Sequence, residues 1–198
     1  MKTRLIILGI AASIGLMSFT NPSSKKEETY KVDVNKSTLA WNAKKVTGQH
    51  NGAVKITSGT LTSKGSDLTG GKFVIDMTSI TCNDLQGEWN GKLVGHLKSD
   101  DFFSVEKNPT STLEITKITP SGDRVNVDGN LTIKGITKPI SFPASISQKE
   151  SVLVAVATIK VDRTKYDIRY GSKSFFEGIG DKAIDDEFEI QVNLVATK

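Results

Sequence analysis

From Val54 to Ala196, apolar residues fall at alternate positions of this chain, segment after segment. Phe73, Ile75 and Met77 show the pattern, and so do Val125, Val127, Leu131 and Ile133. Ile140, Phe142, Ala144 and Ile146 repeat it, and Phe188, Ile190, Val192, Leu194 and Ala196 end the chain with it. Successive side chains of a strand point to opposite faces, so a period of two makes one apolar face and one wet face. Several such strands in series predict an all-β antiparallel sandwich or barrel. About eight strands are expected. A barrel of ~8 strands is just wide enough to be filled by its own side chains or to hold one small ligand. Closure also removes the exposed edges that a long all-strand chain must otherwise manage.

The rhythm breaks in a few places. Leu85, Trp89, Leu93 and Leu97 are spaced four apart, which predicts a short helical insertion near residues 84–104, with Asn83 or Asp84 as its cap. Ser99 reads as the N-cap of a second helical turn through Asp100-Asp101-Phe102-Phe103. Gly48 to Gly52 interrupts a strand, and Gly65 to Gly71 reads as a turn-rich link. Pro139 and Pro143 place the segment from Ile136 to Ser147 at an edge or a bulge, because proline cannot donate to a ladder. Ser151 to Val161 is apolar at nearly every position, which predicts burial on both faces. Residues 162–184 form a long loop rich in aromatics and glycine.

The N-terminus is a separate problem. Lys2 and Arg4 precede an almost unbroken apolar run from Leu5 to Met17, followed by Ser18, Thr20 and Asn21. This is the layout of a Sec-type signal peptide over residues 1–20, which implies a periplasmic or secreted protein. An uncleaved anchor competes, but the run is shorter than the ~20 residues of an ordinary spanning helix. No cysteine follows the run, so a lipid-modified terminus is not expected. Residues 21–29 read as a flexible lead-in and residues 30–198 as one domain. No stable membrane span is expected once the signal is removed, and a homodimer stays open.

Composition excludes more than it suggests. Cys82 is the only cysteine, so no disulfide forms within the chain. The net charge is +4, and without Lys2 and Arg4 it falls to 24 basic against 22 acidic residues. That is too near neutral to predict nucleic acid as a partner. The two histidines, His50 and His96, do not cluster with other metal-ligand types, so no metal is expected. His96 with Asp100 or Asp101 is the one conceivable acid–base pair, and it carries the alternative reading of an enzyme acting on a lipid or quinone-like substrate. Ser99, His96 and Asp100 do not make a triad, since no G-x-S-x-G elbow occurs. Asn130-Leu131-Thr132 fits a glycosylation sequon but falls inside a strand. No catalytic residue and no cofactor are assigned.

The aromatics point to a lumen. Trp41, Phe73, Phe142 and Phe188 fall on strand faces, and Trp89, Phe102, Phe103, Phe175 and Phe176 on the insertions. Apolar insertions around a small barrel would line its mouth, where ligand sites favour apolar walls with a few placed polar groups. By strand parity the lumen or mouth residues are Trp41, Val54, Ile56, Phe73, Ile75, Met77, Phe102, Phe103, Leu131, Ile133, Phe142, Phe175 and Phe188. His50, His96, Arg169 and Tyr170 are the candidate polar contacts for a head group.

Two long motifs carry a resemblance. The stretch from Gly95 to Pro109, GHLKSDDFFSVEKNP, resembles the signature of the YceI-like family. Gly129 to Pro139, GNLTIKGITKP, resembles its second hallmark. Val161 to Ser172 is similar to the late loop of one subgroup. The resemblance spans roughly Tyr30 to Val195. It implies an extended lipocalin-like barrel, usually periplasmic or secreted, that binds polyisoprenoids or other long amphiphiles in its lumen. It implies no agreed catalytic residues. The function expected is therefore non-catalytic binding or carriage of such a lipid in the bacterial envelope. A ligand-free, stress-related interaction module is the other alternative.

Overall fold

The structure is a computed structural model that describes residues 25–198. The expected signal peptide over residues 1–20, and the start of the lead-in, lie outside the described residues. Among the described residues are nine strands and one α-helix. The strands are β1 (Glu27–Val32), β2 (Thr38–Lys45), β3 (Gly48–Lys64), β4 (Asp67–Cys82), β5 (Thr110–Ser121), β6 (Arg124–Ile133), β7 (Ile136–Lys149), β8 (Val152–Asp162) and β9 (Ile184–Thr197). The helix α1 (Gly87–Lys98) lies between β4 and β5, and two short 3-10 turns, Arg163–Tyr166 and Gly180–Lys182, lie between β8 and β9.

Every pairing is antiparallel, and the sheet closes on itself. From β3 the ladder runs through β2, β9, β8, β7, β6, β5 and β4 and returns to β3. That makes eight positions around a barrel. The ninth strand shares a position: β1 sits beyond β2 in the same gap between β3 and β9. Glu27–Lys31 pairs with Thr60–Lys64 of β3, and Lys31 and Val32 pair with Thr197 and Ala196 of β9. Pairing on β3 starts the folded chain at Glu27, within the segment expected as lead-in.

Local chemistry explains the tight links. Between β6 and β7 only Lys134 and Gly135 turn the chain, with φ of 52° and 72°. Two successive positive φ values make the primed turn whose twist matches that of the flanking strands, and Gly135 supplies the second without a Cβ penalty.

Several expectations need correction. Gly48 to Gly52 does not break a strand; it begins β3, with Trp41 directly opposite Gly52. Gly70 and Gly71 lie within β4, and only Gly65 and Ser66 turn between β3 and β4. The outer face of β8 is not buried, since Val156 is 51% exposed. Its valines suit a pleated surface by shape, without needing a covering layer. The N-cap of α1 is Gln86, with no side-chain bond, rather than Asn83 or Asp84. Ser99 ends α1, its N–H and hydroxyl both donating to the His96 carbonyl; a turn does start there, since the Ser99 carbonyl accepts from the Phe102 N–H at 3.1 Å, but the hydroxyl does not cap it.

The proline segment has a subtler outcome. β7 is a strand within the barrel wall, and it pairs with β6 from Ile136 to Ala144 with no register shift. Its pairing with β8, however, runs only from Ala144–Ala157 to Lys149–Val152. Pro139 and Pro143 therefore sit on a local edge inside a closed sheet. Tyr166 packs at this end of the barrel with Phe142, Ile159, Val161 and Ile168.

The long connections gather at one end of the barrel. There lie α1 with the turns after it, residues 163–183, and the links at 46–47 and 134–135. The opposite end carries tight turns and a solid floor, with Tyr30, Ser63, Leu153 and Ala196 fully buried. The Tyr30 hydroxyl accepts a hydrogen bond from Gln148 Nε2 at 2.7 Å.

Candidate functional site

Alternation on eight strands turns one face of each toward a common axis. Between the floor and the inserted end these faces enclose a cavity of about 230 Å³. On β9 its wall runs from Ile184 to Leu194. Ten residue steps at ~3.4 Å each, tilted by ~35–45°, give a lumen roughly 24–28 Å long. That approaches the ~30 Å hydrocarbon thickness of a bilayer. At ~24 cal/mol per Å³, a void of this size costs about 5 kcal/mol when empty. A typical domain has a net stability of only ~5–15 kcal/mol.

Twelve of the thirteen parity-assigned residues line this cavity: Trp41, Val54, Ile56, Phe73, Ile75, Met77, Phe102, Phe103, Leu131, Ile133, Phe142 and Phe188. Trp41 is held by two features. Its indole Nε1–H donates to the Thr81 carbonyl at 2.9 Å, and its ring covers Gly52, where a Cβ would come within 2.6 Å of it. Phe102, Phe103 and Leu97 come from the insertion between β4 and β5 and cap the inserted end. Phe103 meets Phe188 edge-on, with ring centroids 6.1 Å apart.

The thirteenth residue, Phe175, lies elsewhere. It is exposed on the loop before β9, with the Arg169 guanidinium over its ring at 4.9 Å. The loop residues that do reach the cavity are Arg163 and Ile168. Trp89 is 69% exposed, with Lys92 Nζ 4.9 Å from its ring, so it does not line the mouth either.

None of the four candidate polar contacts reaches the cavity. His50 Nδ1 lies 2.7 Å from Asp84 Oδ2, outside the wall. Burial works to raise the Asp84 carboxyl, but hydrogen bonds from the Asn51 N–H, His50 and the Cys82 thiol outweigh it and hold it at about 2. His96 packs edge-on between Phe102 and Tyr170, with centroids at 4.9 and 4.6 Å, and its Nε2 lies 3.1 Å from Asp101 Oδ2. Asp100 is bound to Ser104 and Lys107 instead. An acid–base pair acting on a lumen ligand requires His96 to reach the cavity, and the Phe102 ring stands between them. Arg169 pairs with Asp167 at 2.7 Å.

The cation that does reach the lumen wall among the described residues is Arg163, at a loop position that strand parity does not assign. It is buried, and four of its five N–H donors go to the Asp185, Ile168, Tyr170 and Ile184 carbonyls at 2.8–3.0 Å, with Asp186 Oδ1 3.6 Å from Nη2. Burial pushes its guanidinium pKa down, opposed by Asp186, Asp162 and Asp185. It ties the loop to the barrel and leaves the lumen wall almost wholly carbon. Small residues line the cavity too: Ala43, Ala144, Ala155 and Ala157. Parity marks Ala144, but on β8 valines on the outer face hide the phase.

Comparison with known proteins follows the same outline. The model of the YceI-like domain matches residues 30–196. A UPF0312 protein of Pseudomonas aeruginosa is 37% identical over 75 residues, which is 38% of this chain; the match spans 36% of that relative's length. Among solved structures, BcnA of Burkholderia cenocepacia superposes with a TM-score of 0.69 at 24% identity, over 84% of this chain and 99% of the other. A polyisoprenoid binding domain from Saccharophagus degradans, implicated in plant cell wall breakdown, superposes with a TM-score of 0.61 at 12% identity, over 85% and 97%. At those identities the superpositions show a shared fold. With the family model covering most of its length, this chain belongs to the YceI-like domain family.

Proposed function

We infer that this protein binds one long apolar chain, a polyisoprenoid or similar amphiphilic lipid, non-covalently in its barrel, and carries it within the bacterial envelope. One observation carries the reading: a lumen with carbon walls, roughly 24–28 Å deep by strand geometry, that the protein's own side chains leave unfilled. Each methylene buried there contributes roughly 0.8 kcal/mol, so a long chain binds tightly with few polar contacts. The likeness to a polyisoprenoid binding domain supports the ligand class. The envelope location rests on Lys2, Arg4 and the apolar run from Leu5 to Met17. Among the described residues no helix is long and apolar enough to cross a membrane.

The test is purification from the bacterial envelope without detergent, followed by lipid mass spectrometry of the intact complex. One long-chain lipid per barrel is expected. A protein that emerges empty, and takes up no lipid when offered polyprenols in excess, overturns the reading.

A further inference from the structure

Ser111 is the second residue of β5, opposite Ile75 of β4. It is only 5% exposed, and it lines the lumen. Its hydroxyl has no hydrogen-bond partner in the protein. Among the described residues that line the cavity, it is the one with an unpartnered buried side-chain polar atom. Arg163 reaches the same lumen, but four of its five N–H donors go to backbone carbonyls and its charge is paired with Asp186, 3.6 Å from Nη2. A buried hydroxyl left unpaired in an apolar site is costly, and such groups are nearly always satisfied. The position also has a definite depth. Thr110 begins the strand, and the Met77 N–H donates to the Pro109 carbonyl just outside it, so Ser111 lies beneath the cap that Leu97, Phe102 and Phe103 build.

We propose that Ser111 is the polar anchor of the lumen, and that the ligand is a long chain with a small uncharged polar group, a hydroxyl or carbonyl, near one end. The proposal rests on the lumen-binding reading above. The polar group sits under the cap against the Ser111 Oγ, and the apolar tail runs toward the floor at Tyr30. A charged head is disfavoured there. The wall offers no free cation to pair it, and burying an unpaired charge is prohibitive.

Competition against diphenylhexatriene bound in the full-length protein tests this, with hexadecane, hexadecanol and palmitate presented from one cyclodextrin carrier. Wild type should bind hexadecanol about tenfold more tightly than hexadecane, a difference of about 1.4 kcal/mol. Palmitate at neutral pH should compete more weakly than hexadecanol. Ser111→Ala should abolish the alcohol preference while hexadecane affinity holds, and its melting temperature should stay level or rise, because an unpaired hydroxyl is gone. Ser111→Thr keeps the hydroxyl and should keep the ratio, which separates lost chemistry from lost fold. If wild type binds hexadecane and hexadecanol equally, or the preference survives in Ser111→Ala, the anchor is overturned and the lumen reading stands. If none of the three competes, the lumen reading itself falls.

Discussion

Replacing Ala157 with phenylalanine separates an open lumen from a self-filled core by the sign of its effect. Ala157 lies on the inward face of β8, opposite Ala144 on β7 and Val192 on β9. All three line the cavity, so a new ring enters the void rather than a packed wall. Filling that space should leave stability level or raise it by up to ~2 kcal/mol, from apolar area withdrawn from water. A packed core would respond the other way and lose ~1–3 kcal/mol to strain. The ring also takes the place of ligand. Excluding about four to six chain carbons at roughly 0.8 kcal/mol each costs ~3–5 kcal/mol. That weakens Kd by about two to three and a half orders of magnitude. Urea denaturation gives the first quantity, and titration with a fluorescent polyprenol analogue gives the second. Val156→Phe, one residue away on the exposed outer face, is the control and should change neither. A destabilised Ala157→Phe that still binds the analogue normally would refute the reasoning.

Other perturbations reach the supports of the site. Gly52→Ala places a Cβ 1.8 Å from the Thr81 carbonyl oxygen and 2.6 Å from the Trp41 ring. The strand or the indole must move, so a loss of at least ~2 kcal/mol in urea denaturation is expected, with shifted Trp41 fluorescence. Arg163→Met strands backbone carbonyls that four guanidinium contacts now satisfy, at ~1–3 kcal/mol for each one that stays buried and unpaired. A total loss above ~3 kcal/mol is expected, with early proteolysis in residues 163–183. Burial, reinforced by Asp162, pushes the Tyr166 phenol up to about 12. The neutral form is thus favoured in the folded state, and stability should fall as pH rises from ~10, the unfolded value, through about 12. Thermal melts of Tyr166→Phe should lack that alkaline component. Asp84 titrates at about 2 when folded, so its contribution is present above ~4 and fades as pH falls toward about 2. Asp84→Asn should flatten that part of the acid melting profile.

Parity explains why so much of the lumen wall was legible. Phe73, Ile75 and Met77, or Phe188 and Ile190, can share a face in only one way, and a closed sheet has only one inside. Ala155 and Ala157 escaped because Val152, Val154 and Val156 on the outer face made β8 apolar at every step. The polar positions could not be read by type. Arg169 and Arg163 are both arginines on one loop, yet Arg169 pairs with Asp167 at the surface while Arg163 turns inward to four carbonyls. Phe175 and Phe102 are both aromatic, and only the fold of each insertion decided which one capped the barrel.

The class of fold, the inward face of most strands and the family were legible along the chain, because they depend on a period of two and on contiguous motifs. Closure of the sheet set β1 and β2 in one position of the barrel, and it put the edge that the β7 prolines require inside a closed wall. Tertiary structure also decided that a void remains along the axis and that Ser111 faces it without a partner. Those facts follow from closure and register between residues far apart in the chain, and spacing along the sequence carries no record of either.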